Sequence, residues 1–368
     1  MKALALTPGT TTLRLVDRPE PAISTPEEIK LQMLQVGICG TDREEASGGR
    51  AEAPPGWTEL VIGHEMLGRV VAVGQAVRAV QPGDYAVFSV RRGCGHCPAC
   101  SVNRSDMCFS GDYTERGIKA RDGYQAEYVV DSEQYLVKIP ADMASIGVLT
   151  EPTSVVEKAI DEAVLIQAAR LPNASDSAGW LMGKSVLVAG LGPIGLLAAF
   201  ALRLRGANVL GLGRQDAGTA RPSMLAEIGA KYVDEREIRP EALEEHLGQI
   251  DLIFEATGAA HLEFDLLSAL GINGVYVLTG IPGGDRPINV EGPSLMRQLV
   301  LRNQVMVGSV NASPKHFQMA VDDLRKAKKT WGNTIDRLIT HRFLCSQYGE
   351  ALSLHSTDEI KSILEWAR

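Results

Sequence analysis

Short apolar runs alternate with helical patterns between residues 185 and 278, and this alternation constrains the fold more than any other feature of the chain. The apolar runs are predicted strands: Ser185 to Ala189, Asn208 to Leu212, Asp251 to Glu255 and Val275 to Leu278. Ile194 to Leu204 and Ser223 to Gly229 are predicted helices between them. Strands and helices that alternate at this spacing are typical of a parallel sheet with helices on both faces. The sequence therefore predicts a doubly wound α/β domain over residues 185–308.

A glycine-rich turn joins the first of these strands to the first helix. It reads Gly190-Leu191-Gly192-Pro193-Ile194-Gly195, the G-x-G-x-x-G spacing of a Rossmann dinucleotide-binding turn. Gly190 and Gly192 would let the backbone approach a pyrophosphate at the helix N-terminus, and Pro193 suits the first helical turn. The alternative is an ordinary strand-to-helix turn that binds nothing. Because the turn lies between an apolar strand and an apolar helix, we predict that Gly190, Gly192, Pro193, Ile194 and Gly195 contact a dinucleotide.

The end of the second strand indicates which dinucleotide is bound. Sites for NAD place Asp or Glu about 20 residues beyond the glycine-rich turn, where it binds the ribose 2′-hydroxyl. Here the strand ends in Gly213-Arg214. Gly213 leaves space, and the guanidinium of Arg214 suits a 2′-phosphate, although Arg214 would also fit a solvated loop. The sequence favours NADP as the cofactor and leaves NAD possible.

The first 180 or so residues have a different sequence pattern, in which short strand-like segments are interrupted by glycine and proline. Examples are Glu28 to Val36, Gly68 to Val73 and Tyr85 to Val90, with a turn signal at Pro82-Gly83-Asp84 and a helical stretch at Val155 to Ala169. This pattern predicts a mostly β domain over residues 1–184. After residue 308 a helix and a strand, Leu338 to Phe343, follow. We expect residues 309–368 to pack back on the first domain.

Composition excludes several classes of partner. The formal net charge of −8 and the pI near 5.5 argue against nucleic acid or an anionic membrane as the main partner. Val186 to Leu202 carries no charge, but its three glycines and one proline fit a strand, a turn and a helix better than a membrane span. The N-terminus lacks the pattern of a signal peptide. We expect a soluble cytoplasmic protein whose cysteines are reduced or bound to metal.

Four cysteines lie within fifteen residues, spaced C-x2-C-x2-C-x7-C: Cys94, Cys97, Cys100 and Cys108. This spacing allows four thiolates to surround one tetrahedral zinc, with free thiols as the weaker alternative. Because four thiolates fill the coordination of zinc, the predicted site is structural.

Cys39 then needs a separate explanation, and His64 with Glu65 lies not far along the chain. A catalytic zinc needs protein ligands of mixed type and an open position for a substrate oxygen. A lone cysteine is usually inert and a lone histidine usually structural. In a chain with a dinucleotide fold, however, Cys39 and His64 together favour a second zinc, a catalytic one.

Several motifs give the whole chain a resemblance to the zinc-dependent medium-chain dehydrogenases. They are Gly37-Ile38-Cys39-Gly40-Thr41-Asp42, Gly63-His64-Glu65 with Gly68, Pro82-Gly83-Asp84, the four cysteines and the glycine-rich turn. The sequence is most similar to the archaeal-type glucose (aldose) 1-dehydrogenases, on more specific segments: Arg91-Arg92-Gly93-Cys94, Glu115-Arg116-Gly117-Ile118, Asp122-Gly123-Tyr124, Glu151-Pro152, Glu255-Ala256-Thr257-Gly258 and Gly308-Ser309-Val310-Asn311. The resemblance implies a GroES-like, mostly β catalytic domain beside the Rossmann domain.

The resemblance also implies roles around the catalytic zinc. Cys39, His64 and Glu151 would surround the metal, with Glu65 as a ligand or as a partner of the ligands. Thr41 would pass on the proton from the anomeric hydroxyl of a sugar.

Further implied roles concern the sugar and the dinucleotide. Glu115, Glu151 and Asn311 would bind sugar hydroxyls, and Thr257 and Asn311 would contact the dinucleotide. Each of the three sugar contacts has an alternative: Glu115 as a surface charge, Asn311 as a turn residue, Glu151 as an acid at a helix N-terminus. One departure is Val90, which stands where some family members have an asparagine that binds the sugar, and this leaves the preferred sugar open.

The activity implied is oxidation of the C1 hydroxyl of a pyranose to the lactone, with hydride transfer to NADP. D-Glucose is the first candidate, followed by D-galactose and other aldoses. The alternatives are a polyol, secondary alcohol or threonine dehydrogenase, and a non-catalytic NADPH-binding protein. By resemblance the chain would form a homodimer or homotetramer.

Overall fold

The computed structural model describes residues 1–172, 174, 177–238, 242–283 and 287–367. Contacts divide the chain into two units. Unit 1 comprises Met1–Ser154, Asn311–Arg325 and Asp336–Arg368, and unit 2 comprises Val155–Val310 and Lys326–Ile335. Unit 2 thus begins upstream of residue 185, where the sequence analysis begins the cofactor domain. The predicted domain limits at 184/185 and 308/309 stay predictions.

The elements up to residue 139 are mostly short strands. They are β1 Lys2–Leu6, β2 Leu13–Asp17, β3 Glu28–Ile38, α1 Gly40–Ala46, β4 Leu60–Val61, β5 Met66–Val73, β6 Tyr85–Phe88, β7 Arg91–Arg92, β8 Thr114–Arg116, β9 Ala120–Arg121, β10 Tyr128–Ser132 and β11 Leu136–Ile139.

Helices and strands alternate over the next part of the chain. They are α2 Thr150–Arg170, α3 Ser177–Leu181, β12 Ser185–Ala189, α4 Pro193–Leu204, β13 Asn208–Gly213, α5 Ala220–Glu227, β14 Lys231–Asp234, α6 Leu243–Leu247, β15 Ile250–Glu255, α7 Ala260–Asp265, β16 Leu270–Leu278, α8 Gly292–Leu301 and β17 Val305–Gly308. The C-terminal elements are α9 Pro314–Trp331, β18 Ile339–Leu344, α10 Tyr348–Ser353 and β19 Lys361–Glu365.

The main sheet of unit 1 is organised around β3. Within the described residues its order is β11-β6-β5-β3-β19-β18, with β10 pairing the first half of β3. β19 pairs antiparallel with the second half of β3, so that Ser362 lies opposite Ile38. Side chains of β3 such as Leu31, Met33 and Val36 are fully buried. The pairing brings residue 361 close to the end of β3, where Cys39 follows.

The sheet of unit 2 is entirely parallel. Its order in the described part of the chain is β14-β13-β12-β15-β16-β17. Leu187, Ile253 and Tyr276 belong to a fully buried core on this sheet. In such a sheet the strand order reverses between β12 and β15, and ligands bind at the carboxyl ends of the strands there. The predicted doubly wound parallel sheet is confirmed.

None of the helices in the described ranges is both long and apolar enough to cross a membrane.

Candidate active site

Cys39 is placed by the junction between β3 and α1. It is the N-cap residue of α1, in extended backbone, and its Sγ accepts a hydrogen bond from the backbone N–H of Thr41 at 3.2 Å. The Asp42 carboxylate accepts one from the backbone N–H of Cys39 at 2.8 Å. This reciprocal capping arrangement satisfies two otherwise unpaired N–H groups and fixes the direction of the sulfur.

Three metal-binding donor atoms converge here. The Cys39 sulfur, a His64 ring nitrogen and a Glu65 carboxylate oxygen all lie within 4.8 Å of one another. Cys39 Sγ is 2.9 Å from His64 Nε2. His64 and Glu65 are buried, and Cys39 is half-buried. The structure thus brings together three of the four predicted ligands of the catalytic zinc.

Asp42 lies behind the imidazole of His64. Its Oδ1 is 3.7 Å from His64 Nδ1, and neither atom has a hydrogen-bond partner among the described residues although both are buried. Although burial favours the neutral ring, Cys39 and Asp42 raise the pKa of His64 well above its usual value. A carboxylate behind a histidine ligand orients the ring and makes the facing nitrogen a better metal donor.

Lys361 of β19 binds the Glu65 carboxylate. Its Nζ donates to both carboxylate oxygens at 2.7 Å each and to the Ile38 carbonyl at 3.1 Å. Both side chains are almost fully buried. Although burial favours the neutral amine, Glu65 and Cys39 hold the pKa of Lys361 above its usual value. A Cβ at Gly37 would lie 2.0 Å from Glu65 Oε2, so only glycine admits this carboxylate at the end of β3.

Glu151 lies near this group, in the first turn of α2. Its carboxylate is not among the three donors that converge within 4.8 Å. Burial raises the pKa of Glu151 to about 7, with His64 opposing the rise and Glu65 adding to it. These electrostatic effects place Glu151 in the neighbourhood of His64 and Glu65, and its role as a ligand stays a prediction.

The charge of the surrounding groups suits a dication. Glu45 of α1 is fully buried, its two oxygens have no hydrogen-bond partner among the described residues, and burial followed by Asp42 raises its pKa to about 9. Acidic side chains therefore outnumber the cationic ones, His64 and Lys361. Burial of this excess is costly unless protons or a cation neutralise it. Together with a thiolate, an imidazole and a carboxylate as donors, the charge fits a zinc ion.

The four-cysteine lobe forms a second donor cluster. The sulfurs of Cys94, Cys97, Cys100 and Cys108 lie within 4.8 Å of one another. Cys94 Sγ is 4.0 Å from Cys100 Sγ, close to the roughly 3.8 Å that two thiolates span on a tetrahedral zinc with bonds of about 2.3 Å. The N–H groups of Cys100 and Phe109 point at Cys97 Sγ, each 3.5 Å away. Burial raises the pKa of Cys100 to about 12, so a cation is needed to hold all four as thiolates.

The predicted sugar contacts Glu115 and Asn311 lie together in unit 1. Asn311 Nδ2 donates to Glu115 Oε1 at 2.7 Å, and Asn311 Oδ1 accepts from the backbone N–H of Ala312 at 3.0 Å. Asn311 has φ of +65°, a left-handed conformation that asparagine tolerates better than most residues. Arg91 binds the same oxygen of Glu115. Asn311 thus acts directly on Glu115 in this arrangement.

Unit 2 contains a cavity of about 670 Å³ at the carboxyl ends of its strands. Gly190, Gly213, Arg214 and Thr257, predicted contacts of the dinucleotide, line it. A Cβ built at Gly192 would meet no atom of the described residues within 4 Å, which leaves room for a phosphate at the N-terminus of α4.

The other predicted cofactor residues shape the turn. Pro193 and Ile194 begin α4 directly after Gly192, its N-cap. A Cβ at Gly195 would lie 1.8 Å from the Gly190 carbonyl oxygen, so this glycine permits the close packing of helix on strand. Thr257 is held by Glu255, whose Oε1 accepts from the backbone N–H and the hydroxyl of Thr257 at 2.5 Å each.

Comparisons with known proteins agree with this geometry. The family described as "Glucose dehydrogenase C-terminus" matches residues 144–366, and the "Alcohol dehydrogenase GroES-like domain" matches residues 25–141. A glucose 1-dehydrogenase of Methanocella arvoryzae is 36% identical over 369 residues, covering 99% of each chain. Glucose 1-dehydrogenase 2 of Vulcanisaeta moutnovskia is 39% identical over 366 residues, with the same coverage.

The chain belongs to the glucose 1-dehydrogenase family of zinc-dependent medium-chain dehydrogenases. Among solved structures, the glucose dehydrogenase of Haloferax mediterranei in complex with NADP, Zn and gluconolactone superposes with a TM-score of 0.88 at 33% identity, covering 100% of both chains. Galactitol-1-phosphate dehydrogenase of Escherichia coli, 22% identical with a TM-score of 0.80 and covering 99% of this chain and 100% of that one, shares the fold. The predicted family and the predicted GroES-like and Rossmann fold class are confirmed.

Some residues of this glucose 1-dehydrogenase family member were missed by sequence reasoning. Lys361 sits in an ordinary strand far from Glu65 in sequence, and nothing in its surroundings signals a buried ion pair. Asp42 stands within the Cys39 motif, three residues after the cysteine, and the capping spacing could have pointed to it. Arg91 lies in a segment that carries the resemblance, but its pairing with Glu115 depends on the register of β7 and β8.

We predict that the Lys361–Glu65 pair is strongly coupled. Lys361→Met leaves a buried carboxylate without its cation and should cost about 3–5 kcal/mol of unfolding free energy. The double variant Lys361→Met/Glu65→Gln removes both charges, and its free energy of unfolding should fall clearly less than that of Lys361→Met. Urea unfolding of the two variants and of Lys361→Arg, the charge-conserving control, checks this. A double variant as unstable as Lys361→Met would contradict the coupling.

Proposed function

We propose that the protein is a zinc-dependent glucose 1-dehydrogenase that oxidises the C1 hydroxyl of D-glucose to the lactone and reduces NADP. The observation that carries the proposal is the convergence of Cys39, His64 and Glu65 donors in a buried acidic site. A non-catalytic NADPH-binding protein has no need of such a donor set. The NADP, Zn and gluconolactone of the Haloferax mediterranei structure supply the cofactors and the product class.

Cys39, His64 and Glu65 would hold the catalytic zinc, with Glu151 as a further ligand or substrate contact. Zinc bound there would polarise the C1 hydroxyl and lower its pKa, and NADP would accept the hydride. Thr41, in the first turn of α1 with its N–H on Cys39 Sγ, would relay the hydroxyl proton: Oγ1 would accept it while the threonine's own hydroxyl proton passes to water. Glu115 would accept a hydrogen bond from a sugar hydroxyl, and Asn311 would hold that carboxylate in place.

The four-cysteine lobe would hold a second zinc with a structural role. Its four sulfurs would fill the four coordination positions that zinc takes in structural sites and would leave none open for a substrate.

A panel of sugars and cofactors tests the proposed function. The purified protein should contain about two zinc ions per chain and reduce NADP with D-glucose, while D-galactose and D-xylose define the breadth of the sugar site. Cys39→Ser should lose one zinc per chain and at least about a hundredfold in kcat/KM, because a ligand of the reacting site is gone. Metal analysis and initial rates measure both.

Cys345→Ser is the matched control, because Cys345 is a free thiol outside both donor clusters. It should keep both zinc ions and full activity. The sugar assignment fails if none of the three aldoses supports NADP reduction. A single zinc per chain, confined to the four-cysteine lobe, would favour the non-catalytic alternative.

We also propose that Arg214 selects NADP over NAD. It lines the cavity of unit 2 on a side chain that is 72% exposed, and its Nη2 is 2.9 Å from Glu235 Oε1. Gly213 beside it leaves the end of β13 open, and the chain has arginine at position 214 instead of the Asp or Glu of an NAD site. A guanidinium there can bind a 2′-phosphate with two parallel hydrogen bonds.

Arg214→Ala should raise KM for NADP about tenfold or more, since a charge-assisted hydrogen bond contributes about 1.5–3 kcal/mol, and should leave KM for NAD nearly unchanged. Arg236→Ala is the control, because Arg236 is a nearby exposed arginine paired with Asp234 and Asp216. Initial rates with each cofactor measure the effect. An equal rise in KM for NADP and for NAD would show that Arg214 does not bind the 2′-phosphate.

We further propose that the protein is a cytoplasmic homodimer or homotetramer. None of the six cysteines, all of which lie in the described ranges, forms a disulfide, which fits a reducing compartment. β17 is the last strand of the described parallel sheet, and an edge strand presents backbone groups that a second copy can pair. Next to it in sequence, α8 exposes Met296, Val300 and Leu301 by 59–74%. An exposed apolar face beside a sheet edge favours a symmetric contact between copies.

The double variant Val300→Glu/Leu301→Glu should lower the molar mass measured by light scattering after gel filtration, because buried charges oppose the contact. Val102→Glu is the control, since Val102 is 67% exposed in the cysteine lobe. It should keep the mass of the unaltered protein. A monomeric unaltered protein, or a variant with the original mass, would refute this surface.

A further inference from the structure

We infer that Arg91 is a positioning residue that couples the four-cysteine lobe to the sugar-binding carboxylate of Glu115. The inference rests on the proposed function, because Glu115 contacts a sugar only there. It goes further by giving the lobe a part in substrate affinity.

The guanidinium of Arg91 bridges two elements. Its Nη1 donates to the Asp106 carbonyl at 2.8 Å, while its Nε and Nη2 donate to Glu115 Oε1 at 3.0 and 2.9 Å. Arg91 is 8% exposed. Because a guanidinium is rigid and planar, the Asp106 carbonyl and the Glu115 oxygen are held at a fixed separation and angle. The face of the guanidinium packs on the Tyr113 ring at 4.0 Å, which restricts its rotation.

One carboxylate oxygen of Glu115 accepts hydrogen bonds from protein side chains, and the other can accept one from a ligand. Oε1 accepts from Arg91 twice and from Asn311 Nδ2 at 2.7 Å. Oε2 accepts no hydrogen bond from any described residue and is not among the buried unpaired atoms, so it reaches solvent. An ionised carboxylate oxygen accepts well from a hydroxyl. Arg91 and Asn311 thus determine which oxygen of Glu115 faces a sugar.

The lobe end of the bridge lies between zinc-binding cysteines. Asp106 stands between Cys100 and Cys108, and its buried carboxylate is held by Arg104 at 2.8 Å. The neighbouring Ser105 Oγ donates to the Arg91 carbonyl at 3.3 Å. A metal that binds four thiolates contributes folding free energy to the loop that carries them. The metal-bound lobe therefore fixes the Asp106 carbonyl, and through Arg91 it fixes Glu115.

This arrangement predicts an effect on sugar affinity and none on cofactor affinity. Arg91→Met should raise KM for glucose about tenfold, because the hydroxyl loses a preoriented charged acceptor, while kcat and KM for NADP stay near their original values. Arg91→Lys keeps the charge but cannot bind both Asp106 and Glu115, and should give an intermediate KM. Lys119→Gln is the matched control, because the Lys119 ammonium packs on the same Tyr113 ring at 4.2 Å, while the residue meets Glu115 through backbone hydrogen bonds that the substitution keeps.

Deoxyglucoses locate the effect on one hydroxyl. In the unaltered protein, the deoxyglucose that lacks the hydroxyl bound by Glu115 should have a raised KM. In Arg91→Met, KM for that deoxyglucose should equal its value in the unaltered protein. KM for glucose should rise to about the same value. A change of similar size for every deoxyglucose would indicate a general loosening and would overturn the positioning role.

Hydrogen–deuterium exchange tests the coupling in the opposite direction. Since coupling between two sites is reciprocal, glucose without NADP should slow exchange in the peptide that spans Cys94 to Cys108. This protection should be absent in Arg91→Met, with Lys119→Gln behaving as the unaltered protein. Equal protection in Arg91→Met, or KM for glucose within about twofold of the original value, overturns the inference. Absence of glucose oxidation by the unaltered protein overturns the proposed function instead.

Discussion

The balance of buried charge at the end of β3 is the constraint on which the site in unit 1 depends. Glu65 is almost fully buried and its two oxygens bind Lys361, while the carboxylates of Asp42 and Glu45 are buried nearby with atoms that no described residue pairs. A thiol from Cys39 adds a further potential anion. Few folds tolerate this concentration of acidic groups without cations. The lysine of β19 supplies one positive charge, and the donor geometry provides for a divalent ion.

Two features of the fold could be predicted because their causes are local in sequence. The strand Ser185–Ala189 and the turn that follows it are determined by an apolar run, by glycines and by a proline at the first helical turn. Likewise, the four cysteines of the lobe lie within fifteen residues, so that their spacing alone suggests a common metal. The helix predicted at Val155 to Ala169, a stretch without proline or glycine, lies inside α2, though the structure begins α2 earlier, at Thr150.

What could not be predicted depends on contacts between residues far apart in sequence. The partner of Glu65 lies 296 residues away, and the partner of Asn311 lies 196 residues away. The apolar residues of β19 indicate that this strand is buried. They do not indicate that its first residue, Lys361, binds Glu65. The roles assigned to Glu151 and Thr41 stay predictions for a different reason: their functional partners are the metal and the substrate.

The pairing of β19 with β3 has a consequence for the order in which the protein matures. Cys39, His64 and Glu65 are synthesised early, whereas Lys361 joins them only across a separation of about 300 residues. Long-range pairings of this kind form late in folding, after the local elements. An incomplete chain would therefore present three metal-binding side chains with an uncompensated carboxylate. Until β19 pairs with β3, a metal ion bound by these donors would have to offset the Glu65 charge without the help of Lys361.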